Sequence, residues 1–187
     1  MSPSDDYYNS GVLLMDLKSW RERDCENRVI SYYTKNTENI IAGDQDAING
    51  AFKGEIKSVA PKYNYGSYNM YYPYRMLKKL SGEAPYVSKE VYEDSKSPPA
   101  IIHYLGEERP WRKGNTHPYA KYYKYYLSLT DWKDVPDETG WTLYFICFRI
   151  FNLVTKPFPM IRYKIIDALI PAFMRHRAKK LKKKQGS

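Results

Sequence analysis

The sequence predicts an α/β fold: a mixed sheet with flanking helices, followed by a helical basic tail. Two apolar runs carry the sheet. Gly11–Leu17 (GVLLMDL) and Ile101–Ile102 are short and continuous, as buried strands of a mixed or parallel sheet are. Helical spacing in Lys18–Lys35 and His117–Trp132 supplies the covering layers. The tail is different in kind, nearly all apolar from Trp141 to Val154 and then strongly basic.

At 187 residues the chain is long enough for one ordinary domain with its own core. Cys25 and Cys147 lie far apart in no metal-like spacing, which suits a reducing compartment. The opening MSPSDDYYNSG is polar and acidic, unlike a secretory leader. The formal charge of +9 is unevenly placed: from Gly140 onward eleven Lys or Arg face only Asp167, leaving 19 basic and 20 acidic residues before it. A neutral body with a basic tail is not a generally nucleic-acid-coating domain, so nucleic acid is set aside as a partner.

In chain order, Lys18–Lys35 reads as helix with Trp20, Val29, Ile30 and Tyr33 inward. A loop leads to Asp44-Gln45-Asp46 at the start of a short helix, where acids cap free N–H groups. Two carboxylates bracketing an amide also suit gripping sugar hydroxyls. Ile56–Ala60 is a candidate short strand, and Tyr63–Tyr74, broken by Gly66 and Pro73, an irregular segment whose rings could stack on sugar faces. Val87–Ser97 reads as an exposed helix opened by Ser88 and stopped by Pro98-Pro99. His117–Trp132 is a helix with Tyr119, Tyr122, Tyr123 and Tyr126 packing on one face. Asp131–Gly140 is a polar linker, dividing the chain into 1–139 and a tail at 140–187.

The stretch IIHYLGEERPW, Ile101–Trp111, concentrates the chemistry. A histidine at a strand end can ligate a metal or move a proton, although most such histidines are satisfied core residues. Gly106 lets backbone close on a ligand, and Arg109 can pair with phosphate oxygens. Together they suggest a cation and a diphosphate. In order along the chain, Tyr8-Asn9-Ser10-Gly11-Val12 running into LLMDLKSW, Gly43-Asp44-Gln45-Asp46 running into AING, and HYLGEERPW resemble the C-terminal half of glycosyltransferase family 8, from residue 5 to residue 135.

That resemblance implies the C-terminal part of a GT-A-like nucleotide-sugar glycosyltransferase fold, and hexose transfer from a UDP-sugar to a cell-envelope glycan or lipid-linked acceptor with retention. It implies that Asn9 lies against the donor sugar, that Asp44 holds sugar hydroxyls and that Gln45 lies under the anomeric carbon. Gly106 and Arg109 would contact the diphosphate, Arg109 standing where the family more often has lysine. His103 would complete a Mn2+ (or Mg2+) site whose other ligands come from an Asp-x-Asp motif in a preceding nucleotide-binding half. That half has no counterpart here, so the sequence is read as a truncated or split enzyme, with an inactive membrane-associated fragment or binding protein as the alternative.

The tail sets location. Trp141–Val154 is too short to span a bilayer, and Pro157 and Pro159 break it. Ile161, Ile165, Leu169 and Phe173 then share a side before RHRAKKLKKK. Aromatic and aliphatic residues beside a lysine cluster describe a segment lying on an anionic membrane surface, here the inner face of the cytoplasmic membrane. Helices packed on the body with a free basic end are the competing reading.

Overall fold

The computed structural model describes residues 6–80 and 87–185. It overturns the expected mixed sheet. Helices make up 54% of the chain, and among the described residues there is no sheet, only two isolated parallel bridges. Gly11–Leu17 is not a strand: it has no regular secondary structure over 13–16, with Leu14 91% exposed, and turns helical at Leu17. An apolar run encodes a wish for burial, but a strand also needs a neighbour for its N–H and C=O groups. Ile56–Ala60 likewise forms no strand.

Two compact units are present, residues 1–59 with 166–187 and residues 60–165. In the first, the predicted long helix is two. Asp16 opens α1 (Leu17–Glu22) by accepting from the N–H groups of Lys18 and Ser19. Asp24, left-handed at φ 50°, then turns the chain into α2 (Cys25–Lys35). That break resets the helix phase. Trp20 and Val29 are half-buried as expected, but Cys25 and Tyr32 complete the inward face while Ile30 and Tyr33 are exposed.

Helix α2 packs on α3 (Asp44–Ala51). The approach is so close at Gly50 that a Cβ there would lie 2.0 Å from the Tyr32 ring. Beside it, Arg28 stacks over Phe52 at 4.6 Å and donates to the Ala51 carbonyl at 2.9 Å. Glu55 accepts from Arg23 and Arg28, and those hydrogen bonds hold its carboxyl down to about 2.

The second unit holds α4 (Ser67–Tyr71), α5 (Tyr74–Leu80), α6 (Lys89–Asp94), α7 (Ala120–Ser128) and α8 (Thr142–Thr155), and α9 (Pro159–Gln185) begins in it. The tyrosine-rich segment is thus more regular than its Gly and Pro suggested. Ser88 caps α6 through the Val91 N–H, as expected, but this helix is no surface appendage: Tyr92 is 0% exposed and donates to the Tyr72 carbonyl at 2.6 Å. Along α7, Tyr123 is half-buried whereas Tyr122 and Tyr126 are exposed, so half the predicted aromatic face points out.

A buried guanidinium joins α8 to α9. Arg162 lies 3.9 Å over the Tyr71 ring and 4.9 Å over Phe151, and donates to Asn152 Oδ1 at 2.5 Å. Asn152 in turn donates to the Tyr71 hydroxyl at 3.0 Å. Ring faces and an amide oxygen offset the desolvation of this cation.

Two stability measurements follow. Gly50→Ala should destabilise the fold by about 1–3 kcal/mol, because the new methyl must displace the Tyr32 ring or separate α2 from α3; urea unfolding checks it. His117 gives a pH signature. Its Nδ1 accepts the Tyr119 N–H at 3.2 Å, and its ring is buried against Tyr104, which pushes the imidazole down to about 4. The unfolded chain takes this proton below about pH 6.5, while the folded chain resists until about 4. Stability contributed by neutral His117 is therefore lost as pH falls through that window. The urea midpoint should drop there, and His117→Gln should flatten the drop.

Candidate functional site

In the first unit, Asn49 does the work of a neighbouring strand. Its Oδ1 accepts the Tyr8 N–H at 2.7 Å, and its Nδ2 donates to the Tyr8 carbonyl at 2.7 Å and the Gln45 carbonyl at 2.8 Å. Asn49 is buried on α3, four residues after Gln45, hence on the same helical face. This clamp lays Asn9 and Ser10 over the first turn of α3.

There the sequence-selected residues meet. Gln45 Oε1 accepts from Asn9 Nδ2 at 3.0 Å and from the Ser10 N–H at 3.2 Å. Its Nε2 donates to the Tyr7 hydroxyl at 3.0 Å, and Tyr7 spends its own proton on Asp46. The donors on one side and the acceptor on the other fix the amide in one orientation. Ser10 Oγ donates to Asp44 Oδ2 at 2.9 Å, and Asp44 is exposed.

The two carboxylates thus part company. Asp46 Oδ2 takes the N–H groups of Ile41 (2.7 Å) and Ala42 (2.6 Å), so Asp46 fastens the preceding loop, and Asp44 is the acid presented outward. Tyr7 and Asn49 were missed from the sequence. Asn49 stands at helical spacing from Gln45, so periodicity carried its signal, whereas Tyr7 gave none.

In the second unit, the Ile101-Ile102 run keeps a remnant of its expected pairing. Tyr65 N–H donates to Ile101 O, and His103 N–H to Tyr65 O, each at 3.0 Å, around a parallel Tyr65–Ile102 bridge. This places Asn64 beside His103, with Asn64 Oδ1 2.7 Å from His103 Nδ1. With that oxygen as acceptor, Nδ1 carries the proton and Nε2 keeps its lone pair. Burial, then the charge of Arg109, lowers the His103 pKa, so the ring is held neutral, the state a ligand or base requires. Asn64 gave no spacing signal, because its role arises from the bridge alone.

Gly106, at φ +61°, turns the loop after His103. Arg109 Nε donates back to the Gly106 carbonyl at 3.1 Å, and its guanidinium lies 5.3 Å over the Trp111 ring, with the side chain exposed. Asn115 Nδ2 holds the Arg109 carbonyl at 2.7 Å. Behind it, Arg112 packs 3.5 Å from the Trp141 ring and pairs with Glu107 and Glu138. The result is a braced loop offering a cation.

His103 is a single donor. Among the described residues no group of three or more His, Cys, Asp or Glu comes together as a metal site, so the residues present do not by themselves fit the implied cation.

Comparison with known proteins gives these constellations a context. The model of "Glycosyl transferase family 8" matches residues 1–115. General stress protein A of Bacillus subtilis (strain 168) is 29% identical over 131 residues, covering 69% of this chain and 43% of that protein. Lipopolysaccharide 1,2-glucosyltransferase of Escherichia coli (strain K12) is 30% identical over 128 residues, covering 68% of this chain and 35% of that protein. The chain thus spans less than half the length of these curated relatives. Among solved structures, the galactosyltransferase LgtC in complex with donor and acceptor sugar analogues aligns with a TM-score of 0.52 at 26% identity, over 75% of this chain and 47% of that one. An active-site glutamine-to-glutamate mutant of LgtC aligns equally well. With three motifs in order, a family model matching well over half its residues, and a shared partial fold, the chain belongs to glycosyltransferase family 8.

Proposed function

We propose that the chain is the sugar- and acceptor-binding half, residues 1–139, of a retaining hexosyltransferase, acting with a UDP-sugar on a cell-envelope glycan or glycolipid at the inner face of the cytoplasmic membrane. One observation carries the reading: Asn9, Asp44 and Gln45, some 35 residues apart in sequence, join in one hydrogen-bonded cluster with an outward carboxylate. A relative that is a lipopolysaccharide glucosyltransferase supports the acceptor class, and the active-site glutamine of LgtC supports Gln45.

Breaking a glycosyl–phosphate bond develops negative charge on the departing diphosphate and positive charge at the anomeric carbon. Arg109 answers the first, with a fork that matches phosphate oxygens, and Gly106 leaves its backbone open to them. Asp44 accepts sugar hydroxyls. Gln45 presents its amide dipole to the anomeric carbon, pre-oriented by Tyr7, Asn9 and Ser10, so that no reorganisation is needed as charge appears. An amide is a poor nucleophile, which favours front-face attack by the acceptor hydroxyl as the route to retention. A divalent cation, usual in the family, would neutralise diphosphate charge. Of the residues here only His103 is offered to it, and no step is assigned through it.

His103, without companion donors among the described residues, also favours a second reading, a sugar-binding protein without turnover. In a transfer assay of the active enzyme, Asp44→Asn or Gln45→Ala should lower kcat by about 10²-fold or more, since both act on transition-state charge. Wild-type turnover in both variants would remove the site assignment. Calorimetric titration of this chain with manganese and UDP should show only weak binding, because one histidine is an incomplete site. Submicromolar affinity at unit stoichiometry would overturn that expectation.

A further inference from the structure

Helix α7 divides its rings between two roles. Tyr123 packs on Trp111 at 5.7 Å between ring centroids and on Tyr104 at 6.4 Å, and Tyr119, just before the helix, packs on Tyr65 at 6.0 Å. This inward face braces the loop that carries His103 and Arg109. The outward face lies in water: Tyr122, Tyr125, Tyr126 (66% exposed) and Leu129 follow one another at helical spacing, and Trp132 (68%) stands in the turn beyond. The platform is held in place. Tyr125 stands across Tyr126 at 5.3 Å and 69°. The Trp132 backbone is fixed on both sides, its N–H on Thr130 Oγ1 at 3.2 Å and its carbonyl under the Val135 N–H at 3.0 Å. Contiguous exposure of large rings on a braced element marks a binding surface.

We propose that the outer face of α7, together with Trp132, binds an oligosaccharide bearing acidic groups, the part of the acceptor glycan remote from the hydroxyl that reacts. Its link to an acceptor rests on the reading of residues 1–139 as the acceptor-binding half. Three observations select this occupant. The exposed groups are mostly phenol and indole rings, apolar on their faces and hydrogen-bonding at their tips, which matches sugars, apolar on their C–H faces and polar at their edges. The outward face of α8 shows the contrast, since its exposed Leu143, Ile146, Ile150 and Leu153 offer a sugar hydroxyl nothing. Charge is the second. From Pro118 to Thr130 the chain holds Lys121 and Lys124 and no acid. Lys124 pairs with Asp137, while Lys121, exposed and 5.1 Å over the Tyr122 ring, meets no carboxylate among the described residues, so an acidic group on the glycan complements it. Third, the face is continuous with the candidate site, because the same helix braces that site's loop from its other side. Tyr122 and Tyr126, four residues apart, are offset by about 6 Å along the axis, comparable to one sugar residue.

Calorimetric titration of the full chain with hexagalacturonate, an acidic oligosaccharide, and with maltohexaose, a neutral one of the same length, tests it. Hexagalacturonate should bind more tightly. Tyr126→Ala and Trp132→Ala, both at exposed positions, should each weaken binding about tenfold while leaving the circular dichroism unchanged. Lys121→Gln should weaken hexagalacturonate about threefold and leave maltohexaose as it was, and high salt should erase that difference. Failure of the wild-type chain to bind hexagalacturonate would overturn the proposal, as would undiminished binding in both ring variants. Loss of binding in Asp44→Asn with Tyr126→Ala unaffected would move the oligosaccharide to the first unit's cluster and overturn it too. So would a dimer in sedimentation equilibrium that Trp132→Ala dissolves, which would give the face to a second copy. Turnover separates this surface from the transfer reaction: an enzyme that transfers no sugar, yet loses hexagalacturonate through Tyr126→Ala, keeps the platform and loses the reaction.

Discussion

Every buried backbone N–H and C=O must find a partner, and this fold meets that requirement largely without a sheet. Side chains take the place of strands. Asn49 clamps both polar groups of Tyr8, Asp46 takes two successive N–H groups, and Asn115 serves the Arg109 carbonyl and the His117 N–H. Tyrosine hydroxyls do the same for carbonyls: Tyr74 for Val87, Tyr92 for Tyr72 and Tyr104 for Tyr119. The twenty tyrosines make sense in this light, since each couples an apolar ring to a hydroxyl that can satisfy a loop.

The same economy shapes the candidate site. Asp46 and Tyr7 are structural in their bonds to loop and amide, yet those bonds orient Gln45. Asn64 is a loop residue, yet it sets which nitrogen of His103 carries the proton. Positioning groups and candidate functional groups thus share one network within each unit. Loss of a positioning residue would not only loosen the fold but also free a dipole to turn, which is the more damaging effect where catalysis depends on preorganised charge.

What could be read from the sequence follows from which forces are local. The Ser88 cap on α6 and the proline break before α9 are local and came out as expected. Asn9, Asp44 and Gln45 were singled out through the family resemblance of their motifs, and hydrogen bonds bring those three together at the start of α3. The sheet was not legible correctly, because GVLLMDL specifies an apolar segment but cannot specify a partner. Ile101-Ile102 did find one, in Tyr65, and kept a single bridge. The inward faces of α2 and α7 were misread in part because the left-handed Asp24 shifts the phase of one, while on the other tyrosine tolerates either side of a surface.

Two of the exposed apolar surfaces differ in the kind of cover each can accept. Leu13, Leu14 and Met15 sit on backbone without regular secondary structure whose N–H and C=O groups, among the described residues, take no part in a ladder. Covering that segment with hydrocarbon would desolvate its peptide groups as well as its side chains, at a cost of several kcal/mol for each unmade bond. Helix α8 has less such debt, because beyond its first turn its N–H groups are paired along the helix and its Arg162-facing side is packed. Beyond that turn, an apolar stripe on a helix can be covered by an apolar partner without losing a hydrogen bond. The backbone beneath, more than the side chains above, therefore decides which of the two surfaces a membrane can take.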